Sequence, residues 1–426
     1  MRCPKTSDRR CMQLSQLEGR RVGLWGAGRE GKAAAVAVER VGGHVEVVAT
    51  DDSPSDLERL LACEVVIRSP GVSRYRPELE RMSRAGVLLE TGTNLFFAEP
   101  RMAPVLGVSG TKGKSTTSAM LAHLLRHTGA SVELGGNIGL PLLELLARRE
   151  PDFYVVELSS FQISDLRRGP DVAVMLNLFS EHLDWHGSEA AYAADKLRLL
   201  GLEGVRTAVI NGRDERLAAA VGEGVDVRRF GAGEELPSIE GMPVRGEHNR
   251  LNLAAALAAA QAVGVNVEDV STAMTTFEAL PHRLETVAEI EGVTWVNDSI
   301  ATTPESTIAA LATFADRSVI LIAGGYDRGQ DYGNLGSAIS EHPGGASLIA
   351  LPATGGRIAA AVAGPSPTEE VAGLEEAVAL ARRDAREGSL VLLSPAAPSF
   401  GAFRDFEERG ERFREAVTHR SPWRGR

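Results

Sequence analysis

The chain has 426 residues, of which 43% are hydrophobic and 24% are charged, and its formal net charge is -11. This composition predicts a water-soluble globular protein of two or three domains. The acidic excess argues against a nucleic-acid surface, and the lack of an apolar run of ~20 residues argues against membrane insertion. The three cysteines are odd in number and are not spaced as metal ligands, which favours a reduced, cytoplasmic setting.

Lysine is rare in this chain. Only five of its 46 basic residues are lysines, and these are Lys5, Lys32, Lys112, Lys114 and Lys196. Arginine stays charged and does not act as an amine nucleophile, so the positions that keep lysine are candidates for chemistry that requires an amine. The alternative is that a lysine was kept by chance, and this explanation suits Lys5 well.

The sequence predicts that residues 1–103 form a Rossmann-like domain, which begins with a loose polar tail at residues 1–13. A strand, a G-x-G-x-x-G turn, a helix and two more strands follow one another at Arg21–Trp25, Gly26–Gly31, Lys32–Val41, Val45–Ala49 and Val65–Arg68. This β-α-β order favours a parallel sheet. The glycine turn alone is a weak signal, because it fits NAD, another nucleotide, or helix–strand packing. Asp51 and Asp52 are candidates for a ribose contact.

The segment Gly107–Thr117 is the strongest chemical signal in the sequence. It joins an apolar strand, Pro104–Val108, to a helix predicted over Ser118–His127. In a phosphate-binding loop of this type, backbone N–H groups hold the phosphates, the lysine reaches the terminal phosphates and the serine holds Mg²⁺. Val108 replaces one glycine of the general pattern. The candidate ATP-binding residues are Gly110, Thr111, Lys112, Gly113, Lys114, Ser115 and Thr116.

Carboxylate and histidine side chains follow two predicted strands downstream of this loop. Glu157 ends the strand Phe153–Glu157, and His182 lies in the loop after the strand Val172–Leu176. Because both fall at the sheet edge that carries the phosphate loop, we expect them to contribute to a metal site. Lys196 lies on the next predicted helix. A surface glutamate and a structural histidine are the alternatives.

A long alanine-rich helix, Leu251–Val263, follows in the same region. Asn249 and Asn252 at its start are candidates for contacts to an adenine edge, whereas residues 213–245 have no role that the sequence can assign. We place a central domain at residues 104–280.

Residues 281–426 predict a third α/β domain. Its strands are expected at Val293–Val296, Ser318–Ala323, Ser347–Leu351 and Leu390–Leu393. Polar loops follow these strands at their carboxyl ends, where open sheets bind ligands. The predicted fold is therefore α/β with three domains: an N-terminal Rossmann-like domain, a central mostly parallel domain of the P-loop ATPase type, and a C-terminal Rossmann-like domain.

Several separate motifs occur in the order found in the Mur ligases. They are Gly-Thr-Lys-Gly-Lys-Ser (110–115), Glu-Leu-Ser-Ser-Phe-Gln (157–162), Glu-His-Leu-Asp (181–184), Lys196, Gly-Glu-His-Asn (246–249), Leu-Pro-His-Arg (280–283), Asn-Asp-Ser (297–299) and Leu-Leu-Ser-Pro (392–395). The chain thus resembles this family from about Leu14 to Phe413. It is most similar to the MurD type, which adds glutamate to UDP-N-acetylmuramoyl-L-alanine in peptidoglycan assembly.

The resemblance implies an ATP-dependent ligase that acts through an acyl phosphate with two Mg²⁺ ions. Lys114 and Arg283 would then act on the phosphoryl group. Ser115, Glu157 and His182 would hold Mg²⁺. Lys196 resembles the lysine that these enzymes carbamylate with CO₂, and only an amine can form that metal-binding carbamate.

The other residues that the resemblance implies contact the substrates. Asn249, Asn252, Arg283 and Asp298 resemble positions that contact the nucleotide. The UDP substrate would be held by Ala27, Gly28, Arg29, Asn137 and Ser159, and the glutamate by Thr302, Arg328, Ser394, Ser399 and Phe400. The expected partners are UDP-N-acetylmuramoyl-L-alanine and glutamate, for a chain that acts as a monomer.

The third domain departs from the enzymes that add D-glutamate. Their Asn-Asp-Ser-Lys-Ala-Thr is Asn-Asp-Ser-Ile300-Ala-Thr in this chain, and their Ser-Pro-Ala-Cys-Ala-Ser is Ser-Pro-Ala-Ala-Pro398-Ser. A smaller subgroup, which adds L-glutamate and leaves the inversion to a later epimerase, is more similar in Asn-Asp-Ser-Ile-x-Thr-Thr-Pro, Asp-Arg-Gly and Ala-Pro-Ser-Phe-Gly. We therefore predict L-glutamate as the acceptor, with Arg328 and Ser399 at its carboxylates.

Other functions fit parts of the sequence. The D-glutamate-adding enzyme of the family shares the ATP machinery. A folylpolyglutamate synthetase-like ligase shares the phosphate loop and the domain order, but it lacks the N-terminal glycine-turn domain. A non-catalytic UDP-sugar-binding protein would not need Lys196, and a NAD-dependent oxidoreductase would leave the phosphate loop unexplained.

Overall fold

The computed structural model describes residues 11–49, 53–179, 181–240, 242, 244, 246–267, 269–278, 280–364 and 366–419. The chain divides into two compact units, Met1–Glu240 with Glu247–Phe277, and Gly241–Gly246 with Glu278–Arg426. Most of the expected loose tail at residues 1–13 lies outside the described residues, as do Asp51 and Asp52.

The first unit begins with a four-stranded parallel sheet. Its strands are β1 (Arg21–Trp25), β2 (His44–Ala49), β3 (Val65–Arg68) and β4 (Leu88–Thr91), and its helices are α1 (Arg29–Arg40), α2 (Pro54–Leu61), α3 (Pro77–Arg84) and α4 (Gly92–Ala98). The strand order is β2-β1-β3-β4. A Cβ atom on Gly31 would lie 1.9 Å from the backbone oxygen of Gly26, so the glycine turn lets α1 pack tightly against the end of β1.

The same unit contains a six-stranded parallel sheet. Its strands are β5 (Val105–Ser109), β6 (Val132–Gly136), β7 (Phe153–Glu157), β8 (Val172–Met175), β9 (Thr207–Asn211) and β10 (Asp226–Phe230). Its helices are α5 (Lys114–His127), α6 (Leu142–Leu145), α7 (Ser160–Ser164), α8 (Leu183–His186), α9 (Glu189–Leu197), α10 (Glu215–Ala219), α11 (Glu247–Ala262) and α12 (Val270–Met274). The strand order is β10-β9-β8-β5-β7-β6, so β5 lies between β7 and β8.

This order explains both the sequence pattern and the position of the site. Strands β5 and β8 are buried along their whole length, as expected for parallel strands covered on both faces, which read as continuous apolar runs. Their carboxyl ends meet at one edge. The phosphate loop therefore lies beside Glu157 at the end of β7 and beside the loop that follows β8.

One hydrophobic core runs through both sheets of the first unit. Phe96 on α4 packs edge-on against Tyr154 on β7, with ring centroids 5.7 Å apart. Leu24 on β1 and Leu142 on α6 are buried in the same cluster. Burial of apolar surface is the main favourable term in folding, and this shared core is the physical reason why the two sheets form a single compact unit.

The second unit is a six-stranded sheet with one antiparallel edge. Its strands are β11 (Glu285–Ile290), β12 (Val293–Asn297), β13 (Val319–Ala323), β14 (Ala346–Ala350), β15 (Thr368–Glu370) and β16 (Leu390–Leu393), and its helices are α13 (Pro304–Thr313), α14 (Gly333–Ser340), α15 (Gly355–Ala361), α16 (Leu374–Asp384) and α17 (Phe406–Thr418). The strand order is β11-β12-β16-β13-β14-β15. Among the strands described for this unit, only β11 pairs antiparallel, through a tight turn to β12 at Glu291–Gly292.

The predicted α/β fold class is confirmed, while several element boundaries were wrong. Helix α5 begins at Lys114, not Ser118, because the left-handed Gly113 (φ 87°) completes the loop and the helix starts at once. Helix α11 begins at Glu247, so Asn249 and Asn252 lie in its first turns. The division into three domains at 103/104 and 280/281 stays a prediction.

No helix within the described part of the chain is long and apolar enough to span a membrane.

Candidate active site

The phosphate loop is built around two glycines that no other residue replaces without strain. Gly110 and Gly113 have φ values of 152° and 87°, which L side chains rarely adopt. A Cβ atom on Gly113 would also lie 2.4 Å from Oδ1 of Asn252. Asn252 Nδ2 in turn donates to Asn249 Oδ1 at 3.0 Å. The two asparagines predicted as nucleotide contacts therefore lie directly against the loop.

The side chains of the loop are held by short polar contacts. Lys114 Nζ donates to the backbone oxygen of Thr111 at 2.9 Å, so its ammonium group lies over the loop. Lys112 Nζ donates to Glu181 Oε1 at 2.7 Å. The hydroxyl groups of Thr111 and Tyr192 are 2.8 Å apart. Lys114 therefore lies where a lysine reaches bound phosphates, whereas Lys112 forms an ion pair.

Ser115 and Thr116 occupy the first turn of α5, directly after Lys114. Ser115 is partly exposed and Thr116 is buried. The start of a helix offers unpaired N–H groups and a partial positive charge. This part of the loop is therefore suited to an anion with its associated cation.

Glu157 is a buried carboxylate at the carboxyl end of β7. It is 1% exposed. Its Oε1 accepts a hydrogen bond from Asn137 Nδ2 at 2.7 Å, while its buried Oε2 has no hydrogen-bond partner in the described structure. An unsatisfied buried carboxylate oxygen is costly and uncommon, and it points to a ligand that is not part of the protein. Asn137, predicted to contact the UDP substrate, is engaged with this carboxylate.

Lys196 is buried on α9 and points back to the phosphate loop. Its side chain is 2% exposed, and its Nζ donates to the backbone oxygen of Gly110 at 3.0 Å. Burial, followed by the nearby charge of Lys114, holds the pKa of Lys196 well below its usual value. A lowered pKa favours the neutral, nucleophilic form of this amine.

His182 lies beside the loop in a left-handed backbone conformation, with a φ of 55°. Its ring centroid is 4.8 Å from that of Phe161, and its Nε2 is 3.7 Å from Glu181 Oε2. No group of three or more His, Cys, Asp or Glu side chains forms a metal site by itself among the residues that the structure describes. A metal at this edge needs other oxygen ligands as well.

A cavity of about 470 Å³ opens between the first glycine turn and the β7–α7 turn. The structure brings four of the five residues predicted to hold the UDP substrate to its wall: Gly28, Arg29, Asn137 and Ser159. The fifth, Ala27, does not line the cavity. Ser159 also caps α7, because its Oγ accepts from the backbone N–H of Gln162, and the cap fixes this part of the wall.

Sequence reasoning missed several lining residues. The loop Ser69–Val72 also lines the cavity, together with Gly26, Glu30, Gly136, Pro141, Phe161 and Gln162. Burial raises the pKa of Glu30 to about 7, although the neighbouring Arg29 opposes the shift. The Ser-Pro-Gly turn after β3 was the available signal for the loop, because it ends a strand at the same sheet edge as the glycine turn.

In the second unit, Asp298 follows β12 and is fully enclosed. Its Oδ2 accepts from Ser394 Oγ at 2.8 Å, and its Oδ1 accepts from the backbone N–H of Leu284 at 3.2 Å. Burial raises the pKa of Asp298 to about 7, against the lowering effects of the Ser394 hydrogen bond and of Arg283. Asp298 and Ser394, predicted to contact different substrates, are thus joined to each other.

The other residues predicted to bind glutamate also lie in the second unit. The Arg328 guanidinium lies over the Phe400 ring at 5.6 Å, and Phe400 is 49% exposed. Ser399 is buried beside Phe400, and Thr302 is half-buried in the loop that precedes α13. Arg328 and Phe400 therefore form an accessible pair, while Ser394 and Ser399 lie beneath the surface.

Two family models match this chain. The Mur ligase middle domain matches residues 108–241, and the Mur ligase glutamate ligase domain matches residues 282–397. A relative from Salinispora tropica, named UDP-N-acetylmuramoyl-L-alanine--L-glutamate ligase, is 41% identical over 95% of this chain and 99% of its own length. A relative of the same name from Xanthomonas euvesicatoria is 40% identical over 94% and 96%.

Solved structures share the fold at lower identity. The MurF ligase from Thermotoga maritima in complex with ADP aligns with a TM-score of 0.63 and 19% identity, over 95% of this chain and 96% of its own. The UDP-N-acetylmuramate-alanine ligase MurC from the same organism aligns with a TM-score of 0.61 and 19% identity, over 93% and 98%.

Proposed function

Because this chain belongs to the Mur ligase family, we propose that it joins L-glutamate to UDP-N-acetylmuramoyl-L-alanine and converts ATP to ADP and phosphate. The observation that carries this proposal is the similarity, at about 40% identity and over nearly the whole length, to relatives named for that reaction. The cluster of the phosphate loop, Glu157 and Lys196 at one sheet edge agrees with the chemistry that the reaction requires.

The reaction has to convert a poor electrophile into a good one. An oxygen of the alanyl carboxylate attacks the γ-phosphorus of ATP, and ADP leaves. The glutamate amine then attacks the carbonyl carbon of the acyl phosphate, loses a proton and expels phosphate from a tetrahedral intermediate. Such catalysis depends mainly on positioning and on neutralising negative charge.

The phosphate loop would supply much of that positioning. The N–H groups at the start of α5 would hold the phosphates, and Lys114 would turn from the Thr111 oxygen to the terminal phosphoryl group. Asn249 and Asn252 would contact the nucleotide from behind the loop. Arg283 would add a further positive charge as the phosphoryl group is transferred, and Asp298 would contact the nucleotide.

Glu157 and Ser115 fit a Mg²⁺ ion. The Oε2 of Glu157, which has no hydrogen-bond partner among the described residues, is a hard oxygen ligand of the kind that Mg²⁺ prefers. His182 and a carbamate on Lys196 would be further ligands in a site for two ions. The neutral amine of Lys196 is suited to attack the carbon of CO₂, which gives the carbamate and one proton. Bound Mg²⁺ supplies charge neutralisation at the phosphates.

The acceptor would bind in the second unit. Arg328 presents an accessible guanidinium, which suits a carboxylate, and it rests on the ring of Phe400. Ser399 and Thr302 would complete the subsite. The substitutions Ile300 and Pro398 fall in the same loops, which favours L-glutamate over the D-isomer that other members of the family add.

Phosphate release tests this function directly. Purified protein is given ATP, Mg²⁺, UDP-N-acetylmuramoyl-L-alanine and either enantiomer of glutamate, and the product is hydrolysed for chiral analysis. We expect L-glutamate to be ligated at least tenfold faster than D-glutamate. Faster ligation of D-glutamate would refute the stereochemical assignment, and no phosphate release with either enantiomer would refute the ligase.

Two further points belong to the same proposal. If the product carries L-glutamate, an epimerase has to invert that centre before the usual later steps of peptidoglycan assembly. We also propose that the chain acts as a monomer in the cytoplasm, where ATP and UDP-sugars are available. Light scattering of the purified protein, with and without substrates, checks whether it is a monomer.

A further inference from the structure

The segment from Arg68 to Tyr75 connects two parts of the first unit, and we call it the clasp segment. Its first half, Ser69–Val72, lines the 470 Å³ cavity. Its second half, Ser73–Tyr75, contacts the region of α7, α8 and α9. One wall of the cavity therefore continues directly into a contact with the helix that carries Lys196.

Charged contacts fix the two ends of the clasp segment. Arg68, only 3% exposed, pairs with Asp165, the residue that follows α7. Arg74 pairs with the same carboxylate at 3.4 Å and donates to the backbone oxygen of Ser164. A buried arginine is costly unless it is paired and hydrogen-bonded, so these contacts keep the segment in one place.

Two side chains of the clasp segment reach Asp195 on α9: the Arg74 guanidinium lies 3.9 Å from Asp195 Oδ1, and Tyr75 makes the shorter contact. Its hydroxyl donates to Asp195 Oδ2 at 2.7 Å, and its ring packs edge-on against Trp185 with centroids 5.9 Å apart. Burial and the hydrogen bond to Asp195 raise the pKa of Tyr75 to about 12, so the hydroxyl remains a donor at neutral pH.

The hydrogen-bond chain continues from Asp195 to the opposite wall of the cavity. Asp195 Oδ2 is 2.8 Å from His186 Nδ1, and His186 Nε2 is 3.0 Å from Ser160 Oγ. Ser160 lies between Ser159 and Phe161, and both of these line the cavity. The chain therefore begins and ends next to cavity walls.

The order Ser160–His186–Asp195 has the connectivity of a nucleophilic triad. The geometry argues against that use, because Ser160 and His186 are each only 3% exposed and the serine oxygen is enclosed beneath the wall. A hydrogen-bonded network without substrate access instead holds the elements that it joins in one arrangement.

We propose that Tyr75 is a positioning residue for the UDP substrate. Through Asp195 and His186, Tyr75 keeps the Ser69–Val72 wall of the cavity aligned with the Ser159–Phe161 wall. The inference rests on the proposed function, because it takes UDP-N-acetylmuramoyl-L-alanine as the molecule bound between these walls. Arg68 and Arg74 still hold the segment when the hydroxyl is removed, but the alignment of the two walls through Asp195 is loosened, and the substrate then has to restore it on binding.

Tyr75→Phe tests this idea, because it removes one oxygen and keeps the aromatic ring. Binding of UDP-N-acetylmuramoyl-L-alanine is measured by calorimetry without ATP or glutamate. We expect the Kd to rise about fivefold to tenfold, less than a fully buried charged hydrogen bond would give, because Tyr75 is half-exposed. In steady-state assays the KM for this substrate should rise, while the KM values for ATP and glutamate stay within about twofold of the wild-type values.

Tyr326→Phe is the matched control for the binding measurement. Tyr326 has the same 50% exposure and lies in the second unit, so this variant should bind the UDP substrate as the wild type does. Unchanged affinity in Tyr75→Phe would overturn the inference. An equal rise of all three KM values with a lower melting temperature would also overturn it, because it would indicate a general loss of structure.

Failure of the proposed function would give a different result. In that case the wild-type protein itself would not bind UDP-N-acetylmuramoyl-L-alanine. If it bound UDP-N-acetylglucosamine instead, the same comparison of Tyr75→Phe with wild type on that nucleotide would decide the inference.

Discussion

Two buried carboxylates lie at similar positions in the two units, at the carboxyl end of a strand, but they differ in how many of their oxygens accept hydrogen bonds. Glu157 ends β7, and Asp298 directly follows β12; both are at most 5% exposed. Both oxygens of Asp298 accept hydrogen bonds from the protein. Glu157 has only one such oxygen, and its Oε2 has no protein partner in the described chain.

The difference separates a carboxylate with an oxygen available to a cation from one whose two oxygens are already hydrogen-bonded within the protein. A buried oxygen without a partner destabilises the fold, and a bound cation removes that cost. Asp298 is already satisfied, and through Ser394 it fixes the start of the loop that leads to Ser399 and Phe400. We therefore expect changes at Glu157 to affect chemistry more than stability, and changes at Asp298 to affect stability first.

Glu157→Gln should have the largest effect on activity. The substituted side chain keeps an oxygen for Asn137, but it loses the charge that would hold Mg²⁺. We expect kcat to fall about a thousandfold, which corresponds to several kcal/mol of lost charge stabilisation. The melting temperature without ligands should not fall, because an unsatisfied buried charge is removed. Phosphate-release kinetics and thermal unfolding measure the two effects.

Glu90→Gln is the matched control for that experiment. Glu90 lies on β4, is 5% exposed and pairs with Arg167. Loss of the Glu90 charge should lower the melting temperature and leave the Mg²⁺ dependence of the reaction unchanged. If Glu157→Gln destabilised the protein as much as Glu90→Gln does and kept its activity, Glu157 would be a structural carboxylate like Asp298.

Lys196→Gln should have the next largest effect. If Lys196 supplies a second anion beside Glu157, the variant should lose about a hundredfold in kcat, since a neutral amide is a weaker ligand than a carbamate. Wild-type protein exposed to ¹³C-labelled CO₂ should give a carbamate carbon signal that Lys196→Gln lacks. Lys32→Gln, on the exposed side of α1, should retain the signal. Equal spectra for all three proteins would contradict a carbamate at Lys196.

The local pattern of apolar residues in the sequence was enough to predict much of the fold. Apolar runs identified β1, β3, β5, β7, β8 and β16 because central parallel strands are buried on both faces. Strands β4, β6, β10, β11 and β15 were missed. Three of these, β10, β11 and β15, have no run of buried residues, so no continuous apolar pattern marks them.

Residue type and the ends of predicted strands indicated which side chains lie together, while the roles of these residues stay predictions. The phosphate loop, Glu157, Lys196 and Asn252 do meet at one edge. The Ser69–Val72 wall and the Tyr75 contact with Asp195 were not predicted, because they depend on how the first sheet packs against α9. Such long-range pairings leave no periodic signal in a single sequence.

Asp298→Asn should have the smallest effect of the three, and its effect on the free energy of unfolding should depend on pH. Because the folded protein raises the pKa of Asp298 to about 7, from ~4 in an unfolded chain, folded Asp298 binds a proton more tightly. Wild-type stability therefore falls as pH rises from ~4 to about 7 and then levels off. Asparagine does not titrate, so the free energy of unfolding of Asp298→Asn relative to wild type should rise by ~2.5 kcal/mol between pH 5 and pH 8. Urea denaturation at four pH values measures this change, with the exposed Asp327→Asn as a control that should show no rise. A constant difference between Asp298→Asn and wild type would mean that Asp298 stays ionised in the fold, and the contrast with Glu157 would then rest on hydrogen bonds alone.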